Sequence, residues 1–176
     1  MTRAFHRLLA ASAVFALIAG CEEVPRDSHG TLERVRRSGE LRVGVTHDPP
    51  WATLDGGRVA GGIEPAIVER FAASLGVRPR YVTGAESELM EALHAGKLDV
   101  VAAGLDKTTA HKKRGALTQP YLKTTLGSVP EGEKAAPKQR VLAVSQGESR
   151  LLYTLDRFLL ARKPQWRALA RAEARP

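Results

Sequence analysis

Two spacings of apolar residues follow one another along residues 41–103, and each is typical of one kind of secondary structure. Residues 41–46 (LRVGVT) are apolar at alternate positions, and residues 98–103 (LDVVAA) are apolar at nearly every position. These patterns predict a strand in each segment, the second one buried within a parallel sheet. Between the two strands, apolar residues recur at helical spacing from Pro65, which opens a helix, to Gly76, which ends it. The recurring residues are Ile67, Val68, Phe71, Ala72 and Leu75.

The segments around this helix complete an α/β pattern. A short helix is predicted at residues 31–37, a short strand at residues 80–82 and an amphipathic helix at residues 86–95. Residues 47–57 (HDPPWATLDGG) are predicted to be a loop, because two prolines exclude a helix and DGG is a hairpin turn signal. The order strand, helix, strand, helix, strand predicts a right-handed parallel α/β unit.

The pattern changes in the last third of the chain. A strand is predicted at residues 123–129, and residues 132–139 (GEKAAPKQ) have the composition of an exposed linker. A short strand at residues 141–144 and a third amphipathic helix at residues 148–161 follow. Residues 164–176 are rich in Arg and are predicted to be a polar tail or one frayed helix.

The N-terminus has the features of an export signal. Arg3 and Arg7 precede an apolar run of eleven residues at 8–18, and the small residues Ala19 and Gly20 follow. This order is typical of a secretory signal, and a bilayer span would need about 20 apolar residues. The ending IAGC resembles the bacterial lipobox, in which the cysteine is acylated and becomes the new N-terminus. Cys21 is therefore predicted to carry a lipid anchor, and the alternative is an ordinary signal followed by a chance cysteine.

Size and charge limit the classes of protein that fit. Removal of the first 20 of 176 residues leaves 156, which is enough for one domain with a core. One cysteine excludes an intrachain disulfide, and export makes nucleic acid an improbable partner for a chain of net charge +8. The charge is consistent with a solvated Arg-rich surface or with attraction to anionic lipids or cell-wall polymers.

Four segments carry a resemblance to a known family. LRVGVTHDPPW, GGIEPAIVERFAASLGV and ELMEALHAGKLDVVAAGLDKTTAHKK, followed by ALTQPY, resemble the bacterial extracellular solute-binding proteins of family 3, the polar-amino-acid type. The resemblance implies an extracytoplasmic receptor of an ABC transporter whose ligand lies between two α/β lobes.

Only about fifteen residues separate the outgoing and returning strands here, whereas one βαβ unit takes about 30. We therefore expect an α/β fold with one periplasmic-binding-protein-like lobe, a mostly parallel sheet and flanking helices. The expected organisation is a signal peptide at 1–20, a lipidated tether at 21–30, a lobe at 31–163 with a short linker at 127–140 replacing the second lobe, and a basic tail at 164–176.

The resemblance also indicates ligand-facing positions, and two of them depart from the family pattern. In the family, a hydroxyl residue and then an arginine follow the third strand and hold the ligand carboxylate; here these positions are Asp106 and His111. A carboxylate repels an anionic ligand and histidine cannot form the bidentate contact, so a neutral or cationic polar solute fits better than an amino-acid carboxylate. Thr108 either bonds the solute or caps the next helix, and Asp48 either lines the pocket or caps a turn. Trp51 matches the aromatic residue that flanks the ligand, or it packs the loop onto the lobe.

Two hypotheses for function follow. The first is a membrane-anchored solute-binding lipoprotein, facing the periplasm from the cell membrane or outer membrane, that samples a small polar solute weakly for an ABC permease or a sensor. The second is an interaction module of the cell envelope without a ligand, and a truncated gene product is a further alternative. No catalytic residue, metal or cofactor is predicted, since the chain has no His pair at ligand spacing and its only Cys is assigned to lipid. Some lytic transglycosylases carry a lobe of this kind, but their chemistry needs a separate catalytic domain.

Overall fold

A computed structural model describes residues 27–108, 110, 115–126 and 136–174. The helices are α1 Thr31–Ser38, α2 Ile63–Ser74, α3 Glu86–His94, α4 Ser149–Ala161 and α5 Lys163–Glu173. The strands are β1 Glu40–Val45, β2 Thr53–Asp55, β3 Arg58–Gly61, β4 Arg78–Thr83, β5 Val100–Ala102, β6 Ala116–Leu117, β7 Leu122–Thr124, β8 Lys138–Arg140 and β9 Ala143–Val144. Residues 1–20 and Cys21, on which the export and anchoring predictions rest, lie outside the described residues.

The central sheet has five strands in the order β4-β1-β5-β9-β6. Strand β1 pairs in parallel with β4 and with β5, and β9 runs antiparallel to both β5 and β6. The predicted fold class, one lobe with a largely parallel sheet and flanking helices, is confirmed. Because β4, β1 and β5 run in the same direction, their ends at Thr83, Val45 and Ala102 meet at one edge of the sheet. We call this the C-terminal edge.

Side chains of the sheet alternate between two apolar clusters, as the pleat requires. Val100 and Val144 face the larger cluster, with α2, α4 and α5, whereas Val101 and Ala143 face the smaller cluster beneath α3. Gly44 allows α3 to lie close to β1, since a Cβ there would stand 3.1 Å from the side chain of Leu89 in α3 and 2.8 Å from that of Leu98. The strict alternation explains why residues 98–103 are apolar at almost every position.

A two-stranded sheet lies where the family's chain would cross to a second lobe. Strand β7 pairs antiparallel with β8, with Lys123 opposite Gln139. Three residues that the sequence pattern assigned to an exposed linker, 138–140, therefore form a strand. They are polar in sequence, and their pairing depends on a partner some fifteen positions earlier in the chain.

Helix α5 extends the lobe beyond the predicted boundary at residue 163. Its Trp166 is fully buried, and the indole N–H donates a 2.9 Å hydrogen bond to the Leu159 carbonyl. The Phe158 ring lies 5.8 Å from that of Trp166 and 5.3 Å from that of Phe71. The segment predicted as a basic tail is thus a helix packed into the main core.

Within the described residues, no helix has the length and apolar character needed to cross a bilayer.

Candidate functional site

The loops that follow β1, β4 and β5 meet at the C-terminal edge, where open α/β sheets bind ligands. The Thr46 hydroxyl after β1 donates a 2.9 Å hydrogen bond to the carbonyl of Gly84, which follows β4. Gly104, just beyond β5, stands beside Asp48 from the first loop and has a left-handed φ of 63°. A Cβ at this glycine would collide with the Asp48 carboxylate, so the close approach of the two loops requires glycine.

Trp51 lies inside the wall of the lobe. Its side chain is fully buried, and its main-chain N–H donates to the Asp48 carbonyl at 2.7 Å. The Arg140 guanidinium carbon stands 4.2 Å from the centroid of the indole ring, a cation–π contact. The indole N–H has no hydrogen-bond partner among the described residues. This placement corresponds to the packing role of Trp51, whereas its role as an aromatic residue beside the ligand stays a prediction.

Glu64 is the buried carboxylate of this region, and the sequence patterns did not assign it to the site. One of its oxygens accepts the Gly104 N–H at 2.8 Å, and the other accepts the Tyr121 hydroxyl at 2.7 Å. Burial raises the pKa of Glu64 to about 7, although these two hydrogen bonds and the charge of Arg140 act in the opposite direction. Its only signal in the sequence was its place at the start of α2, where a carboxylate is stabilised by the helix dipole.

Both carboxylate oxygens of Asp106 accept hydrogen bonds from neighbouring groups of the chain. It accepts the Thr108 N–H at 2.7 Å, the Gln139 N–H at 3.0 Å and the Thr108 hydroxyl. Burial favours the neutral acid, but the hydrogen bonds from Thr108 and Gln139, with the charge of Arg140, lower the pKa of Asp106. Asp106 is therefore an anion that holds the β5 loop onto β8. Thr108 is exposed, with its hydroxyl turned back to that carboxylate.

Arg140 links these elements and was missed in the sequence, where it lies in the predicted linker. It is 3% exposed and donates from one terminal nitrogen to the Gly104 carbonyl and from the other to the Leu126 carbonyl at 3.4 Å. Its Nε has no partner among the described residues. A single arginine at the end of a polar segment carries no recognisable motif, so no signal in the sequence could have identified it.

The structure thus brings three predicted site residues, Asp48, Trp51 and Asp106, around Gly104 and Arg140. The Asp48 carboxylate is half-buried and accepts no hydrogen bond from the described residues. His111 lies outside the described residues. A negative group without a partner suits a solute that presents N–H donors or a positive charge. No group of three or more His, Cys, Asp or Glu residues in the described part of the chain could hold a metal ion.

Sequence comparisons match most of the chain to one family. The profile of the bacterial extracellular solute-binding proteins, family 3, matches residues 41–170. Membrane-bound lytic murein transglycosylase F of Pseudomonas putida (strain F1) is 33% identical over 131 residues, which are 73% of this chain and 26% of the relative. The enzyme of the same name from Maricaulis maris (strain MCS10) is 37% identical over 128 residues, 70% of this chain and 27% of the relative. The chain therefore spans about a quarter of the length of these curated relatives.

Solved structures show the same lobe. The arginine-bound form of domain 1 from TmArgBP is 26% identical, with a TM-score of 0.58 over 72% of this chain and 95% of that domain. The ancestral amino acid-binding protein AncCDT-1, a precursor of cyclohexadienyl dehydratase, has a TM-score of 0.70 at 16% identity, covering 82% and 99%. EhuB in complex with hydroxyectoine has a TM-score of 0.67 at 14% identity, covering 82% and 94%. The last two similarities concern the fold alone.

Proposed function

Because this chain belongs to the bacterial extracellular solute-binding proteins of family 3, we propose that it binds a small polar solute at the C-terminal edge of its single lobe. The family match over residues 41–170 is the observation that carries the proposal. The arginine-bound form of domain 1 from TmArgBP supports it, because that structure is a single domain with arginine bound. A solute on one lobe stays partly hydrated, so we expect a Kd near the millimolar range, about 4 kcal/mol.

The charges at the edge favour a cationic or neutral solute over an anionic one. The Asp48 carboxylate accepts no hydrogen bond from the residues that the structure describes, whereas Asp106 is engaged by Thr108 and Gln139. Arg140 is positive, but its terminal nitrogens donate to the carbonyls of Gly104 and Leu126. Asp48 is therefore the proposed anchor for the solute, and Thr108 and His111 remain predicted contacts.

Titration calorimetry of the full chain tests this proposal with arginine, hydroxyectoine and glutamate as probes. We expect heat from arginine, and about a fivefold weaker affinity in Asp48→Asn, because a partly exposed charge contact contributes up to about 1 kcal/mol. Asp55→Asn, an exposed aspartate of the β2–β3 hairpin, is the matched control and should bind like the wild type. Absence of heat from every probe at about 10 mM, more than an expected millimolar Kd, would contradict solute binding.

A second function is suggested by the relatives named membrane-bound lytic murein transglycosylase F. The chain matches about a quarter of each enzyme, so we propose no transglycosylase activity for it. It would instead act as a non-catalytic module of the cell envelope, in which the lobe contacts another macromolecule. A chain that gives no heat with solutes but is retained on isolated envelopes would favour this second function.

We further propose that the lobe is exported and held at a membrane by acylated Cys21, facing the periplasm, where it would serve an ABC permease or a sensor. The support is the order of positive, apolar and small residues before the cysteine. Several acyl chains, as in bacterial lipoproteins, would anchor it stably, since one chain gives only marginal binding.

A further inference from the structure

A groove runs between strand β7 and helix α5. Its cavity of about 430 Å³ is lined by five consecutive residues, 122–126, and by one face of α5. The helix residues are Arg167, Ala170, Arg171 and Ala174. A smaller cavity of about 150 Å³ shares Leu122, Lys123 and Arg167 and adds Lys163 on its rim. We call the two together the β7–α5 groove.

The groove is strongly basic. Lys123, Lys163, Arg167 and Arg171 line it, and none of them forms an ion pair with a described carboxylate. Some arginines elsewhere on the lobe are paired, for example Arg42 with Asp99 at 2.7 Å and Arg150 with Glu33 at 2.7 Å. Four like charges without partners repel one another, and an anionic ligand would relieve that repulsion.

Strand β7 also presents a free edge to this groove. In an antiparallel ladder, opposite residues either exchange both hydrogen bonds or direct both groups away from each other. Gln139, opposite Lys123, sends its N–H to Asp106 at 3.0 Å and accepts the Lys107 N–H at 2.9 Å. Its main-chain groups therefore point away from β7. The N–H and C=O of Lys123 must then point away from β8, on the outer side of β7.

The two strands of the β7–β8 sheet therefore differ in what covers their outer edges. The outer side of β8 is covered by the loop after β5, through Asp106 and Lys107. The outer side of β7 faces α5 across the groove, and no described backbone group pairs with Lys123 there. A free strand edge beside a cavity is the arrangement in which proteins accept an added peptide strand.

We propose that the β7–α5 groove binds an extended acidic peptide segment of a partner protein, which adds to β7 as a third strand. The main chain of the peptide pairs with the N–H and C=O of Lys123. Its carboxylates meet Arg167 and Arg171 on the opposite wall. This site is separate from the proposed solute site, so either function can fail without the other.

Fluorescence anisotropy of the full chain tests the proposal, with a labelled peptide of alternating Glu and Thr as the probe and a Lys and Thr peptide as its counterpart. At low salt we expect the acidic peptide to bind and the basic one not to bind. The double variant Arg167→Glu, Arg171→Glu should weaken binding by about tenfold or more, because two attractions become repulsions. The double variant Arg36→Glu, Arg37→Glu, the same charge change at two exposed positions of α1, is the control and should bind like the wild type.

Two substitutions of Lys123 distinguish strand addition from simple charge attraction. Lys123→Ala removes the charge and keeps the N–H, whereas Lys123→Pro removes both without breaking a bond to β8. We expect the proline variant to bind about fivefold more weakly than the alanine variant, as expected for loss of one hydrogen bond. Hydrogen exchange of the wild type provides the same information without a substitution, since the Lys123 amide should gain protection only when the acidic peptide is present.

Four results would overturn the proposal. The first is equal binding of the acidic and basic peptides, and the second is an equal loss of affinity in the α1 control variant and in the Arg167→Glu, Arg171→Glu variant. The third is binding to anionic phospholipid vesicles with no binding of the acidic peptide, which would make the groove a membrane contact. Peptide binding without protection of the Lys123 amide would likewise exclude strand addition.

Discussion

Replacement of Glu64 by Gln should remove a large part of the pH dependence of this protein's stability. Glu64 is fully buried, and its pKa rises from 4.5 to about 7 in the folded chain. Between these values the folded state holds a proton that the unfolded state has lost, so stability falls as pH rises. One pH unit corresponds to about 1.4 kcal/mol, so the wild type should lose about 3 kcal/mol between pH 4.5 and 8 through this group. The amide of Gln does not titrate, so the variant loses none of this stability.

The contacts of Glu64 make Gln a suitable replacement. The amide oxygen can accept the Gly104 N–H, and the amide nitrogen can donate to the Tyr121 hydroxyl once that hydroxyl turns to act as an acceptor. We therefore expect the variant to resemble the wild type at pH 4.5 and to be more stable by about 3 kcal/mol at pH 8.

Urea unfolding at several pH values from 4.5 to 8 measures this difference. Subtraction of the wild-type free energy of unfolding from that of the variant cancels the contributions of other titrating groups. Asp27 is one such group, because burial raises its pKa to about 6. Glu69→Gln, on the exposed side of the same helix, is the control and should give a flat difference. A flat difference for Glu64→Gln, to within about 0.5 kcal/mol, would refute the reasoning that Glu64 is protonated in the folded chain near neutral pH.

Three further predictions concern the anchor, the β5 loop and the last helix. Cys21→Ala should release the chain from the membrane fraction and remove the acyl mass at its N-terminus, and unchanged fractionation would contradict lipidation. Asp106→Asn should cost about 1–3 kcal/mol in urea unfolding, because an amide nitrogen in place of one carboxylate oxygen leaves an N–H without an acceptor; the exposed-charge variant Lys123→Ala should cost much less. Trp166→Ala should lower the free energy of unfolding by about 3–5 kcal/mol, whereas Arg167→Ala, at the next position, should lower it little. Equally small effects of the two substitutions would show that α5 is not part of the core.

Much of the fold follows from local patterns in the chain. Strands β1 and β5 and helix α2 were predicted within about two residues of their observed limits, because burial on one or two faces imposes its own spacing on apolar residues. The parallel unit formed by β1, β4 and β5 was predicted as well, since parallel strands joined by helices allow few arrangements.

The missed elements are those whose residues have no such spacing. Strand β6 has two residues and β8 is the polar segment KQR, so neither contains enough apolar positions to show a period. In α5, one tryptophan and one alanine are buried, while basic residues lie on the exposed side. Charge dominates the composition of this segment, and the burial of Trp166 is evident only from the packing of the Phe158 ring against it.

For the candidate site, the sequence by itself determined which edge of the sheet to examine and named three of the residues that gather there. Only the tertiary structure decided what those residues do. Glu64 meets the Gly104 N–H across 40 positions of the chain and the Tyr121 hydroxyl across 57. Hydrogen bonds and desolvation depend on such distances in space, and a pattern along the chain records only distances in sequence. The same reason separates Asp48, whose carboxylate accepts no hydrogen bond within the described part of the chain, from Asp106, whose oxygens accept hydrogen bonds from Thr108 and Gln139.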